Sequence, residues 1–515
     1  MAGLRSPGQA RRRLRWPRVA GLQAMSRADK LRFHMWDRPM HTAAYNALRW
    51  LGADPPDWVP ERAGIDHNVA IVGGGQTGCA IAFALRRAGI GRVTVIDAAA
   101  DEAQAGIWTT TARMNLLRTP KALPGPELGI PALSFQAWYE ARHSEAAYTA
   151  IDRIARLDWA EYLQWYRHFL KIPVRYRTEL RRIEPADDCF RLHLSADGQN
   201  VVETARKIVL ANGFSGYGGA YIPPVLRALP PRCYAHTASS LDADVWRGKV
   251  VAVIGAAASA FDAAGVALES GAAAVHLFAR RPTIAAVPIT RSRGYAGAYD
   301  NYAALPDATR WTQALRFRQA GSTPTTDAIE RTVAFADFHI HLAAPWDEAR
   351  VEGDRIVAQV GGEEFHCDFV IAGTGYEANL SACPELAHFA DKVLLWRDRY
   401  VPPEDAMDDW LGAHPYLGAG HEFLEKVPGS AGYLRDIHVQ NPAGFVSFGV
   451  PTGDVPSMKR DIPAIVAQIS QDLFFADFDA HAQRMVRDVP PDFTEAAYAN
   501  SLVGGASGAR PEAEL

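Results

Sequence analysis

The cluster Gly73-Gly74-Gly75-Gln76-Thr77-Gly78 stands between two apolar runs of different character. Before it, Asn68 to Val72 has the length and composition of a buried strand. After it, Cys79 to Ala88 suits an apolar helix that Gly89 and Gly91 close. A further strand-like run, Val93 to Ile96, ends in Asp97. Strand, glycine turn, helix, strand and acid in this order predict a βαβ unit that binds a nucleotide. Gly73 permits the tight turn, Gly75 lets backbone approach a pyrophosphate, and Gly78 lets helix and strand lie close. The helix N-terminus, with Gln76 and Thr77 in its first turn, faces the phosphates, and Asp97 can accept hydrogen bonds from ribose hydroxyls. A glycine turn that binds nothing would leave Asp97 without a task.

The arrangement recurs. Lys249 to Ile254 runs into Gly255, a helix follows from Ala260 to Glu269, and Val275 to Phe278 leads into Ala279-Arg280-Arg281. Gly73 to Asp97 spans 24 positions and Gly255 to Arg280 spans 25. Matched units in one chain predict two bound nucleotides and an α/β fold of two Rossmann-like, dinucleotide-binding domains. At the second turn alanine takes the second and third glycine positions, Ala257 and Ala260, with Ser259 between them. Arg280 and Arg281 stand where the first unit has its acid. A guanidinium suits a 2′-phosphate through paired, charge-assisted hydrogen bonds. This assigns NADPH to the second site and FAD to the first. The other reading of the arginines is a solvated pair at a strand end.

Two small-residue turns flank the second unit, after Lys207-Ile208-Val209-Leu210 and after Asp368-Phe369-Val370-Ile371. They read as the points where the chain leaves the first module and re-enters it. Residues 1–65 are then an N-terminal extension and 66–245 the first part of the FAD domain. Residues 246–365 form an inserted NADPH domain carrying a lid-like segment at 288–350. Residues 366–500 complete the FAD domain, and 501–515 are a disordered tail.

The 515 residues carry a net charge of −4, and no apolar run reaches the ~20 residues of a membrane helix. Neither a nucleic-acid partner nor a membrane is expected. The five cysteines show no CxxC spacing, so neither a disulfide framework, a redox dithiol nor a metal centre is predicted, and a cytoplasmic setting fits. The first 24 residues hold six arginines and no acid, and the stretch after those arginines is too polar for an export signal. A disordered extension, or translation starting at Met25, accounts for them.

Several local motifs carry a family resemblance. They are Gly73-x-Gly75-x-x-Gly78, Ala105-Gly106-Ile107-Trp108, the helical stretch Arg156 to Tyr166, Gly255-x-x-x-Ser259-Ala260, and Ala372-Gly373-Thr374-Gly375-Tyr376. From about residue 68 to 470 the chain resembles the class B flavoprotein monooxygenases, which include flavin-containing, Baeyer–Villiger and N-hydroxylating enzymes. The resemblance implies an FAD-dependent, NADPH-using monooxygenase that oxidises a small organic molecule with O₂ through a C4a-(hydro)peroxyflavin. N- or S-oxidation, hydroxylation and Baeyer–Villiger chemistry stay open. It also implies that Trp108 lies near the flavin, core packing being its other reading, and that Thr374 and Gly375 line the cofactor site. Asp454, after the strand-like run Phe445 to Gly449, is a candidate for the flavin's ribityl chain.

The chain departs from the family pattern in places. Arg118 precedes Thr119-Pro120-Lys121, Asn115 lies three residues earlier, and the histidine signature is reduced to Cys233-Tyr234-Ala235-His236-Thr237. Asn115, Arg118 and His236 are the catalytic candidates, with a structural role the plainer reading for His236. The rival functions are an NADPH-dependent reductase of a quinone or small acceptor, and a non-catalytic flavin sensor. Oligomeric state stays open, a homodimer among the options.

Overall fold

The computed structural model describes residues 38–240 and 243–503. The arginine-rich start and the end of the tail lie outside the described residues. Two sheets organise the rest. In the first, strand His67–Val72 is central, with Val93–Ile96 parallel on one side and Gln199–Leu210 parallel on the other. Thr178–Pro185 and Phe190–Ala196 extend it as an antiparallel meander, and Val174–Arg175 and Ile437–Val439 add parallel strands. The second sheet is wholly parallel, in the order Phe338–His341, Ala274–Phe278, Val250–Ile254, Phe369–Ala372, Tyr234–His236. Helices cover both central strands, so these read as unbroken apolar runs such as Val-Val-Ala-Val-Ile.

The two units repeat down to single hydrogen bonds. Gly73 N–H donates to Ile96 O at 2.8 Å, and Gly255 N–H to Phe278 O at 2.9 Å. Ala211 N–H donates to Val72 O and Gly373 N–H to Ile254 O, both at 2.8 Å. The counterpart of the 199–210 strand is therefore the 369–372 strand, which lies beside Val250–Ile254 in the second sheet. The chain does not re-enter the first sheet at residue 366. The second sheet runs from Tyr234 to Ala372, wider than 246–365, because each unit needs its own third strand to close the turn.

Other expectations change with packing. The run Phe445 to Gly449 is a short helix, Phe445–Phe448, ended by Gly449 at φ +80°. All four helical residues are buried, so the run shows no period that separates strand from helix. His236 is the last residue of a strand in the second sheet. The 288–350 segment is not one lid. Helix Thr326–Val333 packs on helix Ala258–Glu269, and Phe338–His341 belongs to the second sheet. Helix Asp307–Ala320 instead buries Trp311 with Trp396, Leu411 and Phe445. Part of the expected extension is also ordered. Helix Arg38–Trp50 buries Ala44 in the first core and sets His41 against Phe169, ring centroids 5.4 Å apart. Among the described residues no helix is long and apolar enough to cross a membrane.

Candidate active site between two glycine turns

At the first turn the glycines have different tasks. Gly73 has φ +107°, and a Cβ there would lie 2.4 Å from Ala211 O. A Cβ on Gly78 would lie 1.9 Å from Gly73 O. Both are demanded by the fold. A Cβ on Gly75 would meet only Gly106 Cα, at 3.9 Å. Its open side, beside the first-turn N–H groups of helix Gln76–Arg87, fits the approach of a pyrophosphate. Asp97 Oδ2 accepts from Gly74 N–H and Oδ1 from Ala99 N–H, each at 2.7 Å. The carboxylate is thus fixed at the turn, with lone pairs left for a ribose.

Gln76 and Thr77 do something the sequence did not reveal. Gln76 Nε2 and Thr77 Oγ1 both donate to Gly453 O, at 3.2 and 3.1 Å, and Gln76 Oε1 accepts from Trp159 Nε1 at 3.1 Å. These side chains hold a distant turn against the helix start, while their backbone remains for phosphate. Asp454 follows in that turn, and its Oδ1 accepts from Val455 N–H at 2.8 Å. The Asp454 side chain is open to solvent, yet protein surrounds it, as on the floor of a cleft. Desolvation by the surrounding protein raises its carboxyl above the usual range, against the Val455 N–H bond and the nearby Arg118. Trp108 is half-buried, edge-on to Trp159 with centroids 6.4 Å apart, and its carbonyl accepts from Arg156. The Ala105–Trp108 turn faces Gly75, so Gly75, Gln76, Trp108 and Asp454 gather at one place. Cys79 Sγ lies under the turn and donates to Gly74 O at 3.2 Å. Burial pushes this thiol up to about 11, so it stays protonated.

At the second turn, Gly255 has φ +120°, and a Cβ would lie 2.2 Å from Gly373 O. Ala260 fits at the third glycine position because Gly373 faces it. A Cβ on Gly373 would stand 2.7 Å from the Ala260 methyl. Ser259 lies half-buried in the helix's first turn. The arginine pair divides. Arg281 donates to Ala320 O at 2.9 Å and Arg318 O at 3.3 Å, tying down the end of helix Asp307–Ala320. Arg280 is exposed and makes no hydrogen bond or ion pair among the described residues. Thr374 Oγ1 donates to Tyr221 O, and Gly375 O accepts from Tyr221 N–H at 3.0 Å, bracing the turn that follows the 369–372 strand.

The three catalytic candidates are not joined by any hydrogen bond or ring contact. Asn115 is exposed, and its carbonyl accepts from Arg156 N–H at 2.9 Å. His236 is 3% exposed; its Nδ1 accepts from Ala238 N–H at 3.0 Å, and its ring meets Tyr376 edge-on at 5.4 Å. Burial lowers its pKa, which favours the neutral ring. Arg118 bridges the two modules, 3.3 Å from Asp262 Oδ2. Arg113 donates to Thr237 O and to Ser239 O, the latter at 2.7 Å, and Arg331 donates to Arg113 O at 2.8 Å. Arg113, Asp262 and Arg331 sit in no motif, and no local signal could have found them.

The family model described as pyridine nucleotide-disulphide oxidoreductase matches residues 70–293. Over 435 residues the chain is 38% identical to FAD-dependent urate hydroxylase of Xanthomonas campestris pv. campestris, covering 83% of this chain and 91% of that protein. The chain belongs to the class B flavoprotein monooxygenases. It is accordingly an FAD-dependent oxidoreductase with monooxygenase activity. Among solved structures, ornithine hydroxylase of Pseudomonas aeruginosa superposes with a TM-score of 0.62 at 19% identity, covering 79% of this chain and 99% of that one. L-lysine 6-monooxygenase of Pseudomonas syringae gives 0.57 at 16% identity, covering 80% and 99%. These likenesses show the two-domain fold.

Proposed function

We propose that this flavoprotein uses NADPH and O₂ to hydroxylate urate or a closely related small heterocycle. The observation that carries the cofactor assignment is the contrast between the turns: an open Gly75 with Asp97 and Asp454 at the first, a free Arg280 at the second. The 38% identity to a urate hydroxylase supports the substrate class. Gly73, Gly75, Gly78, Asp97, Trp108 and Asp454 would hold FAD. Gly255, Ser259, Ala260, Arg280, Thr374 and Gly375 would hold NADPH, Arg280 through its 2′-phosphate. Reduced flavin supplies the oxygen-activating chemistry. The chain's part is to orient and to exclude water. The first-turn amides fix the pyrophosphate, and Gln76 with Thr77 clamps the Asp454 turn. Arg113, Arg118 and Arg331 hold the modules together so that the second nucleotide can reach the first. The free thiols suit a reducing, cytoplasmic setting.

The test is a coupling measurement. Holoenzyme is supplied with NADPH, O₂ and urate, and the loss of each is followed. Urate lost one-for-one with NADPH and O₂ is the expected result. NADPH consumed while urate persists would instead identify a reductase or oxidase.

A further inference from the structure

Beside the Asp454 turn lies a cavity of about 150 Å³, walled by Leu117, Phe135, Trp159 and Val455 and bounded by Glu127 and Lys121. Val455 adjoins Asp454, and Trp159 holds Gln76, so the cavity abuts the first nucleotide site. Its volume is of the size that admits a single small ring.

Glu127 is the unusual feature of this wall. Its side chain is 7% exposed, and both carboxyl oxygens accept from Gly125 N–H, at 2.9 and 2.8 Å. No cation pairs with it among the described residues. The nearby phenols are committed elsewhere, Tyr162 to Leu133 O at 2.8 Å and Tyr166 to Pro126 O at 2.6 Å. A buried carboxyl normally has a cation or several donors. Lys121 cannot serve, because its Nζ donates to Tyr148 O and Ile151 O at 2.7 and 2.5 Å. Glu127 lines the cavity and, beyond the edge that Gly125 fills, keeps only the outer lone pairs of its oxygens for a further donor.

We infer that this cavity is the substrate pocket and that Glu127 accepts a hydrogen bond from a ring N–H of a small planar heterocycle. The inference rests on the proposed function, since urate carries such N–H groups. Gly125 N–H already fills the edge between the two carboxyl oxygens, so the contact uses the outer lone pair of one oxygen. The aromatic and aliphatic walls would hold the ring's faces.

The experiment titrates urate into oxidised holoenzyme, reading flavin absorbance, and measures turnover in parallel. Glu127→Leu should weaken urate binding about tenfold or more, by leaving polar edges unpaired. Glu127→Gln, which keeps a donor and an acceptor, should stay close to wild type. Ala122→Trp, at the exposed rim, should block the pocket without touching the core, with flavin content unchanged. A urate analogue methylated on every ring nitrogen should not compete. Unchanged urate affinity in both Glu127→Leu and Ala122→Trp would overturn the pocket. Loss of flavin in Ala122→Trp would show that the cavity seats the flavin instead. Equal binding of the methylated analogue would refute recognition of a ring N–H. If wild type neither binds nor oxidises urate, the substrate reading fails and this inference falls with it. If wild type turns over urate and the variants do too, only the pocket assignment falls.

Discussion

At the scale of single residues, neighbours that look equivalent in sequence separate by what touches them. Gly75→Ala should fold with a near-native melting temperature but bind less FAD, because its Cβ meets protein only at 3.9 Å. Gly78→Ala should destabilise the protein by about 1–3 kcal/mol, the cost of forcing a methyl into a filled site. Chemical denaturation and flavin content of the two purified variants check both. The arginines divide likewise. Arg280→Ala should raise the KM for NADPH about tenfold more than that for NADH. Arg281→Ala should lower thermal stability with little change in that preference, since it binds the carbonyls of residues 318 and 320. Equal effects of Arg280→Ala on both nicotinamides would refute the 2′-phosphate contact. The sequence placed both arginines at the strand end, where the spacing of a repeated unit puts them. It could not say which one was already engaged, because the partner carbonyls lie nearly 40 residues away.

Elements show the same divide between local and distant information. The strand–turn–helix units were legible because their apolar runs and glycines are contiguous and each has one conformational solution. Phe445–Phe448 reads as a strand in sequence because a short run of four buried residues, three of them apolar, fits either backbone. The clamp from Gln76 and Thr77 to Gly453 crosses more than 370 positions and leaves no periodic trace. Helix Asp307–Ala320 falls within the segment expected to form a lid, but its Arg310 turns inward. Arg310 donates to Ser447 O at 3.3 Å and lies over the rings of Trp396 and Tyr416 at 4.9 and 5.0 Å. Arg310→Ala should cost about 2 kcal/mol by leaving buried acceptors unpaired, and the loss should appear in denaturant midpoints before it appears in KM.

For the molecule as a whole, buried histidines set the response to acid. Burial pushes His414, His421 and His438 down to about 4. Unfolded, each takes up its proton near 6.5. Between these values the unfolded chain binds more protons, so the stability from keeping these rings neutral is present above about pH 6.5 and lost as pH falls toward 4. Raised carboxyls such as Glu422 act in the opposite sense. Melting temperatures at fixed flavin saturation should fall from pH 7 to pH 5, and His438→Gln should flatten that fall. No fall between those values would contradict the histidine account.

The facing of Ala260 and Gly373 has a consequence for how such a chain can change over generations. The alanine at the third glycine position is tolerated only because its opposite number has no side chain. The two positions thus behave as one inherited character. Gly373→Ala alone should be damaging, and the same change made together with Ala260→Gly should recover much of the loss. Descent could replace the glycine of the helix only after, or along with, its appearance on the opposing strand end, so the order of those two events is constrained by a gap of 2.7 Å.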